Sequence, residues 1–193
     1  MDGLYTILAA VISATATITS VWLTRKIIHR KKRDAIVDET IQNANVYTAL
    51  EYLLGESGGD RAYIMEFHNG EHYFSGRGQQ KFSCTYEVVK SGISAEFGNS
   101  QNHRISNFHH YISEVVNDGS FAYSKIADIP DTAFKALLKD KGVASIFNVP
   151  LKTLNGKVIG ILGVDYVKSS HLFKEGTLEF MRRQARIMTG YLL

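Results

Sequence analysis

Ala144–Leu151 (ASIFNVPL) and Val158–Tyr166 (VIGILGVDY) are two apolar runs joined by a short loop that contains Asn155-Gly156. Branched and aromatic side chains on both sides of an Asn-Gly turn predict a β-hairpin. Gly160 and Gly163 remove side chains from its second strand, which predicts close approach of a neighbouring element. Immediately upstream, Asp131 is placed to cap a helix over Thr132–Lys141, which Gly142 ends. Downstream, a helix from about Phe173 to Leu192 carries Leu178, Met181, Ala185, Met188 and Leu192 on one seam.

Further out, Arg61–Phe67 (RAYIMEF) alternates as a strand and His68-Asn69-Gly70 is expected to be a turn. Phe82–Val89 is a second strand, with Phe82, Cys84, Tyr86 and Val88 expected on one face. Between Gly92 and Ile129, Phe108–Val116 is expected to form a short helix and Phe121–Ile126 a short strand. The order helix, strands, helices, hairpin, helix defines an α+β domain built on one central antiparallel sheet flanked by helices.

The chain has 193 residues, 45% of them hydrophobic and 21% charged, with two prolines and one cysteine, Cys84. This composition excludes disorder, an internal disulfide framework and a cysteine zinc cage. The net charge of +3 is local, because Arg25, Lys26, Arg30, Lys31, Lys32 and Arg33 account for it. Of 22 basic residues those six leave 16, against 19 acids, so no nucleic-acid partner is expected. Before the basic cluster, Leu4–Leu23 is uncharged and, at about 1.5 Å per residue, long enough to span about 30 Å of hydrocarbon. Residues 1–24 are therefore expected to be a transmembrane anchor rather than a cleaved signal peptide, since only Asp2 precedes the apolar run. Positive charge after the span predicts a single-pass inner (plasma) membrane protein with its N-terminus outside and its domain cytoplasmic. Residues 25–54 are expected to be a basic juxtamembrane segment and helical stalk, with Ile36, Thr40, Asn43, Tyr47, Leu50 and Leu54 on a heptad seam. That seam suits a parallel coiled coil or packing on the protein's own domain, residues 55–193.

From Gly142 to Val164, through Asn148-Val149-Pro150 and Asn155-Gly156-Lys157, with Phe173 opening a terminal helix, the sequence resembles the C-terminal half of a GAF domain. The stretch Glu66-Phe67-His68-Asn69-Gly70, followed by Tyr73, Gly76 and Tyr86-Glu87, is similar to uncharacterised GAF-like proteins of bacteria and phages. The resemblance implies a GAF/PAS-like sheet of about six strands with the first and last helices together on one face. On the other face it implies a pocket under the middle helices and loops. Family members bind cyclic nucleotides, tetrapyrroles, haem or small metabolites, and many only dimerise. No signature of the cyclic-nucleotide binders is evident, Cys84 lacks the histidine partner of a bilin anchor, and one cysteine is too few for a methionine sulfoxide reductase.

Aromatic residues are dense between positions 63 and 123, as pocket lining or as core. Phe67, His68, Asn69, Tyr73, Phe74, Ser83, Tyr86, His109 and Phe121 are the pocket candidates. His68, Glu71 and His72 imitate a zinc-protease motif, but Asn69-Gly70 disfavours the helix it needs. His103, His109 and His110 lack fixed ligand spacing. No catalytic residue and no metal site is expected, and the cofactor is left open. The expectation is a membrane-anchored sensory module that binds an unknown small molecule, dimerises through stalk and terminal helix, and signals to a separate protein. A ligand-free membrane scaffold or interaction protein, of a kind that phages encode, is the alternative.

Overall fold

The structure, a computed structural model, describes residues 2–193, and side chains at all of these except 2, 4, 6, 8, 9 and 28–34. It divides into a unit ending at Asn43 and a unit spanning Ala44–Leu193.

Helix α1 runs Asp2–Ser57. In the first unit it exposes Ile7, Val11, Ile12, Ile18, Val21, Trp22 and Leu23. Thr15, Thr17, Thr19 and Thr24 donate their hydroxyls to carbonyls three or four residues back. The expected transmembrane anchor is not upheld, nor is the inner-membrane, N-terminus-outside localisation built on it. Among the described residues no helix is long and apolar enough to cross a membrane. Leu4, Thr6, Leu8 and Ala9 of the apolar run lie outside the described side chains, as do Arg30–Arg33 of the basic cluster.

In the second unit α1 buries Val46, Leu50, Leu53 and Leu54, a stripe at helical spacing. Of the six seam residues, Leu50 and Leu54 are thus used by the protein's own core. Gly58, at φ 70°, ends the helix in the left-handed conformation that glycine adopts without penalty. Strands β1 (Arg61–His72), β2 (Gly78–Val89), β3 (His103–Arg104), β4 (Phe121–Tyr123), β5 (Ser145–Lys152) and β6 (Val158–Tyr166) form one antiparallel sheet in the order β3-β2-β1-β6-β5-β4. Helix α2 (His109–Ser113) runs on into a π-helical turn, and α3 (Thr132–Asp140) and α4 (Thr177–Leu192) complete the domain.

The sheet has a core on each face. On one, Ala62, Ile64, Val149, Leu151, Leu162 and Val164 pack against α1 and against Met181, Ala185 and Met188 of α4. On the other, Tyr63, Met65, Phe82, Cys84 and Ile161 meet Tyr111, Ile112, Phe134 and Leu138 of α2 and α3. Two sequence expectations fail in β1 and β2. His68-Asn69-Gly70 is not a turn, because β1 continues to His72 and the chain reverses at Tyr73–Arg77. Gly70 is used there for closeness: a Cβ would lie 2.6 Å from the Gln79 carbonyl oxygen. Nor do Phe82, Cys84, Tyr86 and Val88 share a face. Met65 pairs with Cys84 but Ile64 pairs with Tyr86, so one extra residue on β2 inverts the alternation. Phe82 and Cys84 face α2 and α3, whereas Tyr86 and Val88 pack on the α1 side.

Gly163 is the tightest point of the hairpin strand, since a Cβ would run into the Tyr63 ring and the Asn148 side chain. Gly163→Ala is expected to cost about 1–3 kcal/mol of overpacking. Gly190→Ala, in open space on α4, is expected to gain up to about 1 kcal/mol. Urea unfolding of the two variants measures both signs.

Candidate functional site

The candidate site begins with two polar residues inside the apolar hairpin. Asn148 of β5 and Asp165 of β6 are both buried, with side chains on the α2 and α3 side of the sheet. Arg61 of β1 is the direct cross-strand partner of Asp165 and is fully buried. Its Nε lies 3.4 Å from Asp165 Oδ2. One terminal nitrogen donates to the Ser94 carbonyl at 3.2 Å and lies 3.6 Å from Glu96, and the other donates to the Lys141 carbonyl at 2.9 Å. A buried guanidinium needs such partners, and these tie the segment after β2 and the end of α3 to the sheet.

Around this pair lies a cavity lined by Tyr63, Met65, Phe82 and Cys84 from the sheet and by Tyr111, Phe134, Leu137 and Leu138 from the helices, with Glu87, Glu96, Ser100, His103 and Lys141 at its polar end. Its volume is about 20 Å³, room for about one water. Tyr111 is fully buried in the cavity wall, its ring stacked on Phe134 at 3.7 Å. Asp131 holds those rings in place: its carboxylate accepts from the Phe134 N–H at 2.9 Å, as the cap of α3, and from the Tyr111 N–H at 3.1 Å. The segment closing the polar end is pinned by Glu87, whose carboxylate accepts from the N–H groups of Glu96 and Phe97. Lys141 donates to Ser100 Oγ, which donates to the Glu96 carbonyl.

Burial sets the electrostatics. It raises the Cys84 thiol to about 12, which removes thiolate character near neutral pH. It lowers Lys141 below the usual ammonium range and lowers His103, whose Nε2 is buried without a partner. It raises Asp165 to about 6 against the pull of Arg61. The hydrogen bonds agree with a neutral Asp165. The Tyr63 hydroxyl is 3.0 Å from both Asp165 Oδ1 and Asn148 Oδ1, yet carries a single proton. With Asp165 protonated, its hydroxyl donates to Tyr63, Tyr63 donates to Asn148, and Asn148 Nδ2 donates to Tyr111 at 2.8 Å. With Asp165 ionised, Tyr63 donates to the carboxylate and the Asn148 amide turns over.

The nine sequence candidates do not line this cavity. Phe121 and Phe67 belong to the aromatic cluster beside it. His68 Nε2 is 2.9 Å from Ser83 Oγ, which also accepts from the Asn102 N–H, so these two brace β1, β2 and the approach to β3. Asn69 is exposed along β1 and Phe74 is fully exposed at the β1–β2 turn. Tyr73 contacts Ser106 through its hydroxyl, His109 is exposed at the start of α2, and Tyr86 packs edge-on to Tyr47 on the α1 side. No group of three or more metal-ligating side chains occurs among the described residues. The cavity's own polar residues had a usable signal, because Asn148 and Asp165 interrupt otherwise apolar strands and buried polar groups are the informative exceptions.

Comparison of the architecture with solved structures gives many likenesses. The PixJ GAF domain of Thermosynechococcus elongatus, in its blue-light-absorbing form, aligns with a TM-score of 0.63 at 15% identity, over 80% of this chain and 86% of that one. The GAF domain region of a Geobacter sulfurreducens PCA protein aligns at 0.60 and 16% identity, over 82% and 97%. A protein solved in its far-red-absorbing dark state with bound biliverdin IXa aligns at 0.57 and 13% identity, over 74% and 84%. No protein-family model matches the sequence, and no curated protein matches it. The fold is that of GAF domains.

Asp165 sets a pH signature. An unfolded aspartate loses its proton near pH 4, whereas the folded one keeps it until about 6, so this group's contribution to stability is complete below pH 4 and is lost as the pH rises through 6. Asp165→Asn, which mimics the neutral acid, is expected to gain about 2–3 kcal/mol relative to the parent between pH 4 and pH 7. Urea denaturation of both proteins across that range measures the difference; a constant offset would refute the assignment.

Proposed function

We propose that residues 44–193 form a sensory module that takes up a small ligand between the sheet and the α2–α3 roof and transmits occupancy to a second copy and to a separate protein. The observation that carries this reading is the cavity's composition. It sets a wall of aromatic rings against a desolvated ammonium, a buried carboxylic acid and an unpartnered imidazole nitrogen, the mixture of apolar lining and few convergent polar groups that ligand sites use. Uptake requires opening. Ligand sites are typically about 300–1,000 Å³, so Tyr111 must leave its stack on Phe134 and the Glu87-pinned segment must move. A ligand that binds only the open arrangement shifts the population toward it.

The biliverdin of the neighbouring structure does not transfer to this chain as a covalent group. Cys84 is the only cysteine, is buried in β2, and has its thiol raised to about 12. The expected result with biliverdin is no covalent adduct by mass spectrometry of the full chain. With a library of small metabolites, the expected result is a rise in Tm for at least one of them, because a ligand of the native state alone stabilises it by about 2.7 kcal/mol at a hundred times its Kd. Absence of any shift favours the second reading, a ligand-free interaction module. The small closed volume of the cavity speaks for that alternative.

For pairing, the supporting surface is the groove between α1 and α4, lined by Asn45, Thr48, Tyr52, Arg183, Ile187 and Tyr191. Ile187 and Tyr191 are exposed apolar side chains one helical turn apart. A dimer through this face lets residues 25–54 act as a stalk. Ile187→Glu is expected to shift the full chain from dimer to monomer by at least tenfold in dimer Kd, as measured by analytical ultracentrifugation.

A further inference from the structure

Arg182, Arg183 and Arg186 crowd one stretch of α4, but the fold sends them to different places. Arg183 stands 5.7 Å over the Phe180 ring and lines the α1–α4 groove. Arg182 and Arg186 line a second groove, where they meet Lys152 from the end of β5. This groove has a volume of about 440 Å³, an apolar floor of Pro150 and Ala185, and the fully exposed Leu154 along its lining. It shares no lining residue with the cavity under α2 and α3.

We propose that this groove binds a small organic phosphomonoester. The charge count selects the ligand. Three cations line this groove, and the only ion pair among them in the described residues is Arg182 with Glu179, at 3.3 Å between exposed side chains. The balance is about two positive charges, which a phosphomonoester at −1.5 to −2 matches and a single carboxylate does not. Outside residues 25–33 the chain carries more acids than bases, so this local excess runs against the protein's average. Guanidinium groups present paired donors to phosphate oxygens, and Lys152 adds a point charge from the opposite wall. Gly119 supports the arrangement: it ends the π-helical turn after α2 at φ 79°, and a Cβ there would come within 3.3 Å of the Arg182 guanidinium. The volume lies within the range of small-molecule sites, and the floor gives the organic part of the ligand an apolar seat.

The test is an NMR titration of the full-length, 15N-labelled chain with glycerol 3-phosphate, with glycerol and sodium chloride at matched ionic strength as controls. Saturable shifts are expected at the Gly119, Thr153 and Arg186 amides, with those of Tyr111 and Asp165 unmoved. Arg186→Gln and Lys152→Gln should each weaken binding at least tenfold, and Arg183→Gln should leave it unchanged. These side chains are exposed, and retained spectral dispersion shows that the variants fold. Equal shifts with sodium chloride or glycerol, shifts confined to the cavity, or undiminished affinity in both Gln variants overturns the proposal.

Discussion

Arg61 and Asp165 face each other across the two central strands, out of contact with water, and the rest of the domain is arranged to make that tolerable. Isolated charges in such a setting cost several kcal/mol each, and removing one partner of a buried pair typically costs about 3–5 kcal/mol. Here the guanidinium spends its donors on the carbonyls of Ser94 and Lys141, while Tyr63 and Asn148 extend the carboxylate's hydrogen bonding toward Tyr111. Arg61 therefore anchors the segment after β2 and the end of α3, and Asp165 is linked through Tyr63 and Asn148 to the ring that closes the cavity. A change in the proton or charge on Asp165 is felt by all three.

The two faces of the sheet divide the labour. The face under α1 and α4 carries a continuous apolar cluster, whereas the opposite face mixes aromatic rings with the polar cluster. Asp131 joins α2 to α3 by accepting from two backbone N–H groups, those of Tyr111 and Phe134. The cavity beneath them leaves space for about a single water.

Much of the fold was legible because its signals are local. The Asn155-Gly156 hairpin, the Asp131 cap, the α4 seam and the short helix after Phe108 each rest on residues a few positions apart, and all are present. What failed depends on pairing across distance. The His68-Asn69-Gly70 segment has turn chemistry, yet β2 lies alongside and its ladder draws these residues into β1. The extra residue opposite the Ile64/Met65 step moves Tyr86 and Val88 to the far side of the sheet, and no periodicity within Phe82–Val89 reveals it. Pocket candidates chosen for aromatic or imidazole character fell mostly at the β1–β2 end. The cavity under α2 and α3 is lined by other rings, Tyr63, Phe82, Tyr111 and Phe134, together with polar residues set in apolar strands. The apolar N-terminal run formed a helix as its composition favours, and among the described residues no helix is long and apolar enough to cross a membrane.

By itself, the amino-acid order determined the class of the domain, its helices and its central hairpin. Turn preference, capping and helical spacing act over one or two turns of chain and need no partner. Tertiary structure alone decided which strand faces which core, how Arg61 meets Asp165 from 104 positions away, and how three cations from β5 and α4 come to share a groove. Those outcomes come from burial: a buried charge takes whatever partner the folded chain brings within reach, and sequence proximity does not limit that choice.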